Sequence, residues 1–498
     1  MKKLTELLSD TLVYGISSVA ARFVTYLLVP FYTDVFLPAE YGIIGLIYSA
    51  IAVLNVVFTF GMESAYLRYA ADRQKARSVF KTLQLTLLAV ATTLAVLLWI
   101  SSPLIMPYLG LTTETADLFY YMIAILWLDT LAIVPFAELR LVRKSYLFAA
   151  VRLGNVFINL SLNFYLILWL NFGLEAVMIS QFAASGATAL FLWLYNASMF
   201  RASFKRAYLR KALIFGLPFV PAGIGYTINE FIDRFFLNAM SIDEVEAIYG
   251  AGMTPEAVTG IYNACYKLAV FMLLIVQMFR MAWQPFFMRH AESEDATDLF
   301  RQVFRLFNVV AAAAFLVVAL FAREIASVNV PILQTTIIDD AYWQGLSIVP
   351  IILLAYWFQG WYVNFTAGIF IKEETGYLPK VTLMGAAITL AANAAMVSSM
   401  GMMGSAIATL LSYSTMAFVL FYVSTKVYPV NYEMPRALLT TLIAAGTYAW
   451  CQLFMGSADG PIHFSTKVYY AIGGLLLIAA INLPEFWKKW KENSLMKT

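Results

Sequence analysis

Long apolar runs recur from one end of the chain to the other, separated by short polar stretches. A helix needs about 20 predominantly apolar residues to cross a bilayer. Fourteen segments meet that length: roughly 11–33, 42–67, 82–102, 118–139, 146–169, 173–198, 212–240, 257–284, 303–323, 344–371, 378–399, 403–425, 437–456 and 466–484. The runs are continuous and lack the short apolar-out, polar-in alternation of barrel strands. Only helices and closed barrels satisfy their backbone groups in hydrocarbon, so the pattern predicts an all-α integral membrane protein with 14 transmembrane helices. Between the eleventh and twelfth runs only Ser399–Met402 intervene, where Gly401 and Gly404 suit a tight turn. The first run holds Arg22 and follows Lys2, Lys3, Glu6 and Asp10, which makes it an uncleaved span rather than a signal peptide.

Composition agrees. Of 498 residues 61% are hydrophobic and 13% charged, against about 25% charged in a soluble domain, and the mean hydropathy is +0.75. A net charge of +3 argues against a nucleic-acid partner. Cys265 and Cys451 lie far apart in apolar stretches, a pattern that supports neither a disulfide framework nor a zinc site. Charge placement tests the helix count independently. With the N-terminus inside, the inward stretches carry clusters such as Arg68, Arg73, Lys75, Arg77 and Lys81, or Arg201, Lys205, Arg206, Arg210 and Lys211. The outward loops hold only Arg323 and Lys467, and are otherwise acidic or neutral. This alternation is the positive-inside pattern and puts both termini in the cytoplasm.

A weak internal repeat relates the first two spans to the seventh and eighth. Each pair has a long, charge-bearing first helix, an acidic outer loop and a glycine-plus-aromatic start to the second helix: Ala39–Tyr48 in one, Thr259–Leu268 in the other. Transporters commonly carry such repeats. The segments Pro30-Phe31-Tyr32-Thr33, Tyr41-Gly42, Gly61 and Arg68-Tyr69 stand in the first half. In the second half stand Gly216-Leu217-Pro218, Pro221, Asp233-Arg234-Phe235-Phe236-Leu237, Gly260-Ile261-Tyr262-Asn263, Tyr266-Lys267-Leu268 and Ala282-Trp283-Gln284-Pro285-Phe286. In these segments, their order and their spacing, the chain resembles the polysaccharide transporter branch of the MOP superfamily, which contains the Wzx-type O-antigen and capsule flippases. The resemblance implies two MATE-like six-helix lobes, at 1–198 and 212–425, joined by a basic cytoplasmic connector at 199–211 and followed by two accessory helices and a basic tail at 426–498. It implies a bacterial inner-membrane protein that flips an undecaprenyl-diphosphate-linked oligosaccharide by alternating access. Its partners would be that substrate, membrane lipids and polysaccharide polymerase machinery.

An intramembrane charge costs about 2.5–3.5 kcal/mol at mid-span, so it faces a cavity or a partner. Arg22 and Lys267 sit near mid-depth, Arg152 nearer the inner face and Arg234 nearer the outer face. All four are candidates for a cationic cavity that binds diphosphate, since guanidinium forks match phosphate geometry. Internal pairing is the alternative for Arg234, beside Asp233 and Glu230, and snorkelling for Arg152. Asp129 lies mid-way along the fourth span, as either a proton or sodium coupling site or a counter-ion for Arg22 or Lys267. Asp233, Glu230 and Glu63 are further coupling or counter-ion candidates, Glu63 being near enough to the inner interface to meet loop arginines. Asn155, Asn159 and Asn163 share one helix face, and Asn55 adds an amide on the second span; these contact sugar hydroxyls or glue helices together. Trp283 reads as an interfacial anchor.

No metal, catalytic residue or cofactor is expected, apart from a coupling H+ or Na+. A polymerase or ligase for lipid-linked sugars is the enzymatic rival, but His290 and His463 have no partner constellation and no Walker A sequence is present. A MATE-like cation exporter would favour an acid-dominated cavity, and a lipid II flippase shares the same expected architecture. Reporter fusions or cysteine labels at Glu114 and Asp339 are expected to read outside and those at Arg77 and Arg206 inside. A reporter at Lys497 found outside would overturn the even count.

Overall fold

The computed structural model describes residues 28–331, 334–455 and 463–482. The helices that matter here are α1 (Leu28–Val35), α2 (Pro38–Thr59), α3 (Met62–Tyr69), α4 (Ala76–Ile100), α5 (Ala116–Leu141), α6 (Ser145–Leu168), α7 (Leu174–Tyr195), α8 (Arg206–Gly216) and α9 (Phe219–Asn238). They continue with α10 (Ile242–Tyr249), α11 (Pro255–His290), α12 (Ala296–Leu320), α13 (Val349–Ile371), α14 (Tyr377–Met400), α15 (Met402–Val427), α16 (Met434–Met455) and α17 (Phe464–Asn482). Among the described residues strands are confined to Asn329–Val330 and Thr335–Thr336.

Among the described residues eleven helices are long and apolar enough to cross a membrane, and α8 with α9, bent by 43°, makes a twelfth if counted as one span. Fourteen is reached only by adding α16, helical over 22 residues, and the first span, of which residues 11–27 lie outside the described residues. Two expected spans are broken. The run 42–67 ends its first helix at Thr59, because Phe60 (φ 32°) and Gly61 (φ 72°) turn left-handed before α3 begins. A Cβ on Gly61 would lie 2.4 Å from the Gly216 carbonyl oxygen, so the break sits where two backbones touch. The run 212–240 breaks between α8 and α9 at Leu217 and Pro218, where a ring without an N–H cannot continue the ladder. Half of the expected connector 199–211 is likewise helical, as the start of α8. The turn at Gly401 (φ 53°) does separate α14 from α15.

By contact the chain forms two compact units. The first runs to Asn263 and takes in Pro331–Thr335 and Asn393–Ser405; the second takes the rest from Ala264. The division falls within α11. In the first unit α5 packs on α7, α4 and α2, α6 packs on α7, and α2 packs on α9. Tyr66, Phe80, Leu83, Leu87, Val134 and Ala137 form an apolar cluster. Beside it the buried Glu138 accepts from Tyr66 Oη at 2.6 Å and from Arg73 at 2.6 and 2.9 Å. Glu63 pairs with Arg140.

In the second unit α12 packs against α16, α17 and α13. Asn308 Oδ1 on α12 accepts from both Trp357 Nε1 (2.9 Å) and Trp361 Nε1 (2.7 Å) on α13. Glu433, just before α16, accepts from Arg305 at 2.6 Å and Arg436 at 2.8 Å. Lys467, expected in an outward loop, instead lies buried in the first turn of α17, where Glu324 neutralises it at 2.7 Å. Trp283 is no interfacial anchor: it is 2% exposed. Phe279 and Phe286 stack against its ring, and its Nε1 donates to the Asn364 carbonyl oxygen at 3.3 Å.

The tightest crossing in the first unit is between the starts of α2 and α11. A Cβ on Gly42 would come 1.9 Å from the Glu256 carbonyl oxygen, and one on Gly260 would come 1.8 Å from that of Pro38. Gly42→Ala and Gly260→Ala are therefore expected to destabilise by about 1–3 kcal/mol, as overpacked contacts do. Gly473→Ala, with no atom within 4 Å, is expected to be tolerated. Thermal unfolding of the purified variants measures the difference, and equal midpoints for all three would contradict the close crossing.

Candidate functional site

Two polar stripes meet in the first unit. On α6, Asn155, Asn159 and Asn163 recur at one-turn intervals, and on α7 Gln181, Ser185 and Thr188 do the same. Antiparallel packing brings them together: Asn155 Nδ2 donates to Thr188 Oγ1 at 3.0 Å, and Asn159 Nδ2 to Gln181 Oε1 at 3.0 Å. Gln181 Nε2 donates to Ser185 Oγ at 3.2 Å. Asn163 Nδ2 donates to Asn159 Oδ1 at 3.2 Å, and Tyr32 Oη on α1 donates to Asn163 Oδ1 at 2.8 Å. The Ser185 hydroxyl also lies within electrostatic reach of the Asp129 carboxyl on α5. One chain of hydrogen bonds thus links Ser185, Gln181, Asn159, Asn163 and Tyr32 across three helices, with Asp129 on α5 beside its Ser185 end. The three stripe asparagines, candidates for sugar contact, are engaged helix to helix. Asn55, on α2, keeps a buried Oδ1 with no hydrogen-bond partner among the described residues.

Arg22, the first cavity candidate, lies outside the described residues. Within them Asp129 feels the charge of Arg152 and lies close enough to influence Tyr48. Arg152 itself is exposed on α6, with its guanidinium 4.4 Å from the Phe136 ring centre and 5.6 Å from that of Phe148. Both are cation–π contacts of an exposed side chain.

A second cluster is built on α9. Its buried face carries Thr227, Asn229, Glu230, Asp233 and Arg234, polar where a lipid-facing helix would be apolar. Arg234 Nη1 donates to Asp233 Oδ1 at 2.6 Å and to the Glu230 carbonyl oxygen at 2.6 Å. Tyr262 Oη donates to Asp233 Oδ2 at 2.5 Å, and the Tyr262 ring centre lies 5.4 Å from the guanidinium. Both members of the ion pair are 3–4% exposed at the side chain. Such a pair, taken out of water, holds only if its remaining groups are bonded as well. Arg234 is therefore fixed by its neighbours, and the cluster as a whole, with Glu230, carries an excess of acid.

Lys267 lies half-buried on α11, in the part that belongs to the second unit. Among the described residues no three His, Cys, Asp or Glu side chains are grouped so as to hold a metal ion. The site residues that sequence reasoning passes over are Tyr32, Gln181, Ser185 and Tyr262. The polar spacing on α7, matched to that on α6, is the signal that would have found two of them.

Residues 7–291 match the family described as polysaccharide biosynthesis protein. No curated protein sequence matches the chain. Among solved structures, a MATE in complex with MaD3S is 16% identical, with 84% of this chain and 95% of that one covered at a TM-score of 0.56. A MOP superfamily transporter from Pyrococcus furiosus, described as having a binding pocket of reverse polarity, is 15% identical over 84% and 95% at 0.59. The outward-facing form of a multidrug resistance MATE family transporter is 16% identical over 84% and 94% at 0.55. At such identities the likeness establishes the fold. Matched over more than half its length, this multi-pass membrane protein of MATE-like fold belongs to the polysaccharide biosynthesis protein family.

Proposed function

We propose that the protein is a flippase. It carries an undecaprenyl-diphosphate-linked oligosaccharide from the cytoplasmic to the outer face of the bacterial inner membrane by alternating access, for synthesis of a surface polysaccharide such as O-antigen, capsule or exopolysaccharide. The observation that carries this reading is the pairing of a polysaccharide-biosynthesis family match with a transporter-like fold. The substrate supplies the physical need. A sugar chain and a diphosphate cannot shed their water into hydrocarbon without replacement partners. Lys267 and Arg22 would each neutralise diphosphate charge during its passage.

Asp129 is proposed as the coupling carboxylate, for H+ or Na+. An ionised carboxylate only accepts hydrogen bonds, whereas a protonated one also donates. A change at Asp129 therefore alters what Ser185 can offer Gln181, and through Asn159 and Asn163 what holds Tyr32 on α1. Binding an ion there would bias α1, α6 and α7 between two arrangements, which is the form a population shift requires.

The test uses a bacterial strain that lacks its own flippase for the matching polysaccharide. Arg22→Ala and Lys267→Ala are each expected to cut surface polysaccharide by about tenfold or more at normal protein level, consistent with loss of a charge-assisted contact. Arg22→Lys is expected to recover part of it, since charge remains and the fork is lost. Asp129→Asn, which freezes the neutral form, is expected to leave the protein in the membrane but stop export. Full export by Arg22→Ala and Lys267→Ala together would defeat the cationic-cavity mechanism.

A further inference from the structure

Within the second unit a cavity of about 80 Å³ opens between α11 and α13, lined by residues including Arg280, Trp283, Gln284, Tyr362 and Thr366. That volume exceeds the roughly 10–15 Å³ one water needs and suits a phosphate-sized group with part of its hydration. Arg280 and Gln284 stand one turn apart on α11, and Tyr362 and Thr366 one turn apart on α13, so two polar pairs face each other across the gap. The remaining wall is apolar and aromatic, and no acidic side chain lines it.

This distinguishes Arg280 from the carboxylate-bound arginines. Arg73, Arg140, Arg234, Arg301, Arg305 and Arg436 each bond a carboxylate. Arg280, exposed on α11 as is Gln284, instead borders this cavity, with Tyr362 within reach of its charge. Thr366 Oγ1 donates to the Val363 carbonyl oxygen at 2.6 Å, which leaves its lone pairs for an incoming hydroxyl. One turn before Tyr362, Gln359 Oε1 is buried with no hydrogen-bond partner among the described residues. Donor-only Arg280 with amide and hydroxyl acceptors nearby matches a phosphate joined to a sugar. Along α11, Arg280 lies roughly 20 Å beyond Lys267 at the helical rise, toward the end that charge placement assigns to the cytoplasm.

We propose that this cavity is a loading subsite, in which Arg280 binds the phosphate of a polyprenyl glycolipid while Gln284, Tyr362 and Thr366 take the adjoining sugar hydroxyls. The proposal rests on the flippase reading and adds a residue and a place to it. The other source of the same chemistry is a bilayer phospholipid, and the test separates the two.

The full chain is placed in phosphatidylcholine nanodiscs, and binding of undecaprenyl diphosphate and of phosphatidylglycerol is measured by native mass spectrometry. Arg280→Gln is expected to weaken undecaprenyl diphosphate about tenfold or more, and Arg280→Lys about threefold, as the guanidinium fork is lost stepwise. Arg289→Gln, farther along the same helix and equally exposed but not lining the cavity, is expected to change it less than about twofold, as for a screened charge. Gln284→Glu, which sets a carboxylate one turn from the guanidinium, is expected to remove the preference for the diphosphate. If the unaltered protein binds undecaprenyl diphosphate and Arg280→Gln leaves its affinity unchanged, the subsite is wrong and the flippase reading stands. Equal affinity for phosphatidylglycerol, lost equally in Arg280→Gln, would make the phosphate a bilayer lipid's and overturn the loading role. No binding of undecaprenyl diphosphate to the unaltered protein would count against the flippase reading itself.

Discussion

Inside a bilayer a polar group has no water to fall back on, so each one must find its partner on a neighbouring helix. That constraint decides much of how this chain packs. Asn308 draws two tryptophans of α13 to α12. The α6 asparagines fix the register of α6 against α7. Glu433 and Lys467 tie α16 and α17 to the end segments of α12 through Arg305 and Glu324. Where no polar pair is available, small residues let backbones meet instead, as at Gly42 and Gly260.

The same constraint explains what could be read from sequence. Element type and approximate position follow from one-dimensional hydropathy, and helices lie in the expected segments wherever those are described. The breaks were harder. Nothing local in Phe60-Gly61 forces an interruption; it coincides with the approach of Gly216, far away in sequence. Lys467 looks like a loop lysine until Glu324 is seen beside it. Trp283 has the sequence position of an interfacial anchor, yet α13 covers it.

Site residues were legible as individuals and less so as partners. The acids and cations stand out because an unpaired charge in a span is costly. Which of them pair is a three-dimensional fact. Asp233 and Arg234 are neighbours in sequence, and their pairing is visible there as one of two readings. Asp129 meets Ser185 from another helix, and no spacing rule announces that. Two kinds of arginine stand out among the charges. Arg73, Arg234 and Arg305 are held by carboxylates and serve packing, whereas Arg280 borders a polar cavity.

The proposed flippase role needs groups that can exchange partners as well as groups that cannot. The hydrogen-bonded chain from Ser185 to Tyr32, with Asp129 beside its end, is of the first kind, since each amide and hydroxyl in it can reverse its role. The central claim is that such a scaffold moves a lipid-linked sugar. The most direct test is transfer in proteoliposomes loaded with undecaprenyl-diphosphate-linked oligosaccharide, with and without a pH or sodium gradient. Access of the sugar to a membrane-impermeant glycosidase is followed over time. The account predicts that vesicles containing the protein expose sugar from the inner leaflet faster than empty vesicles, and faster still with the gradient. Exposure at the rate of empty vesicles, from protein that instead exports an organic cation, would contradict it.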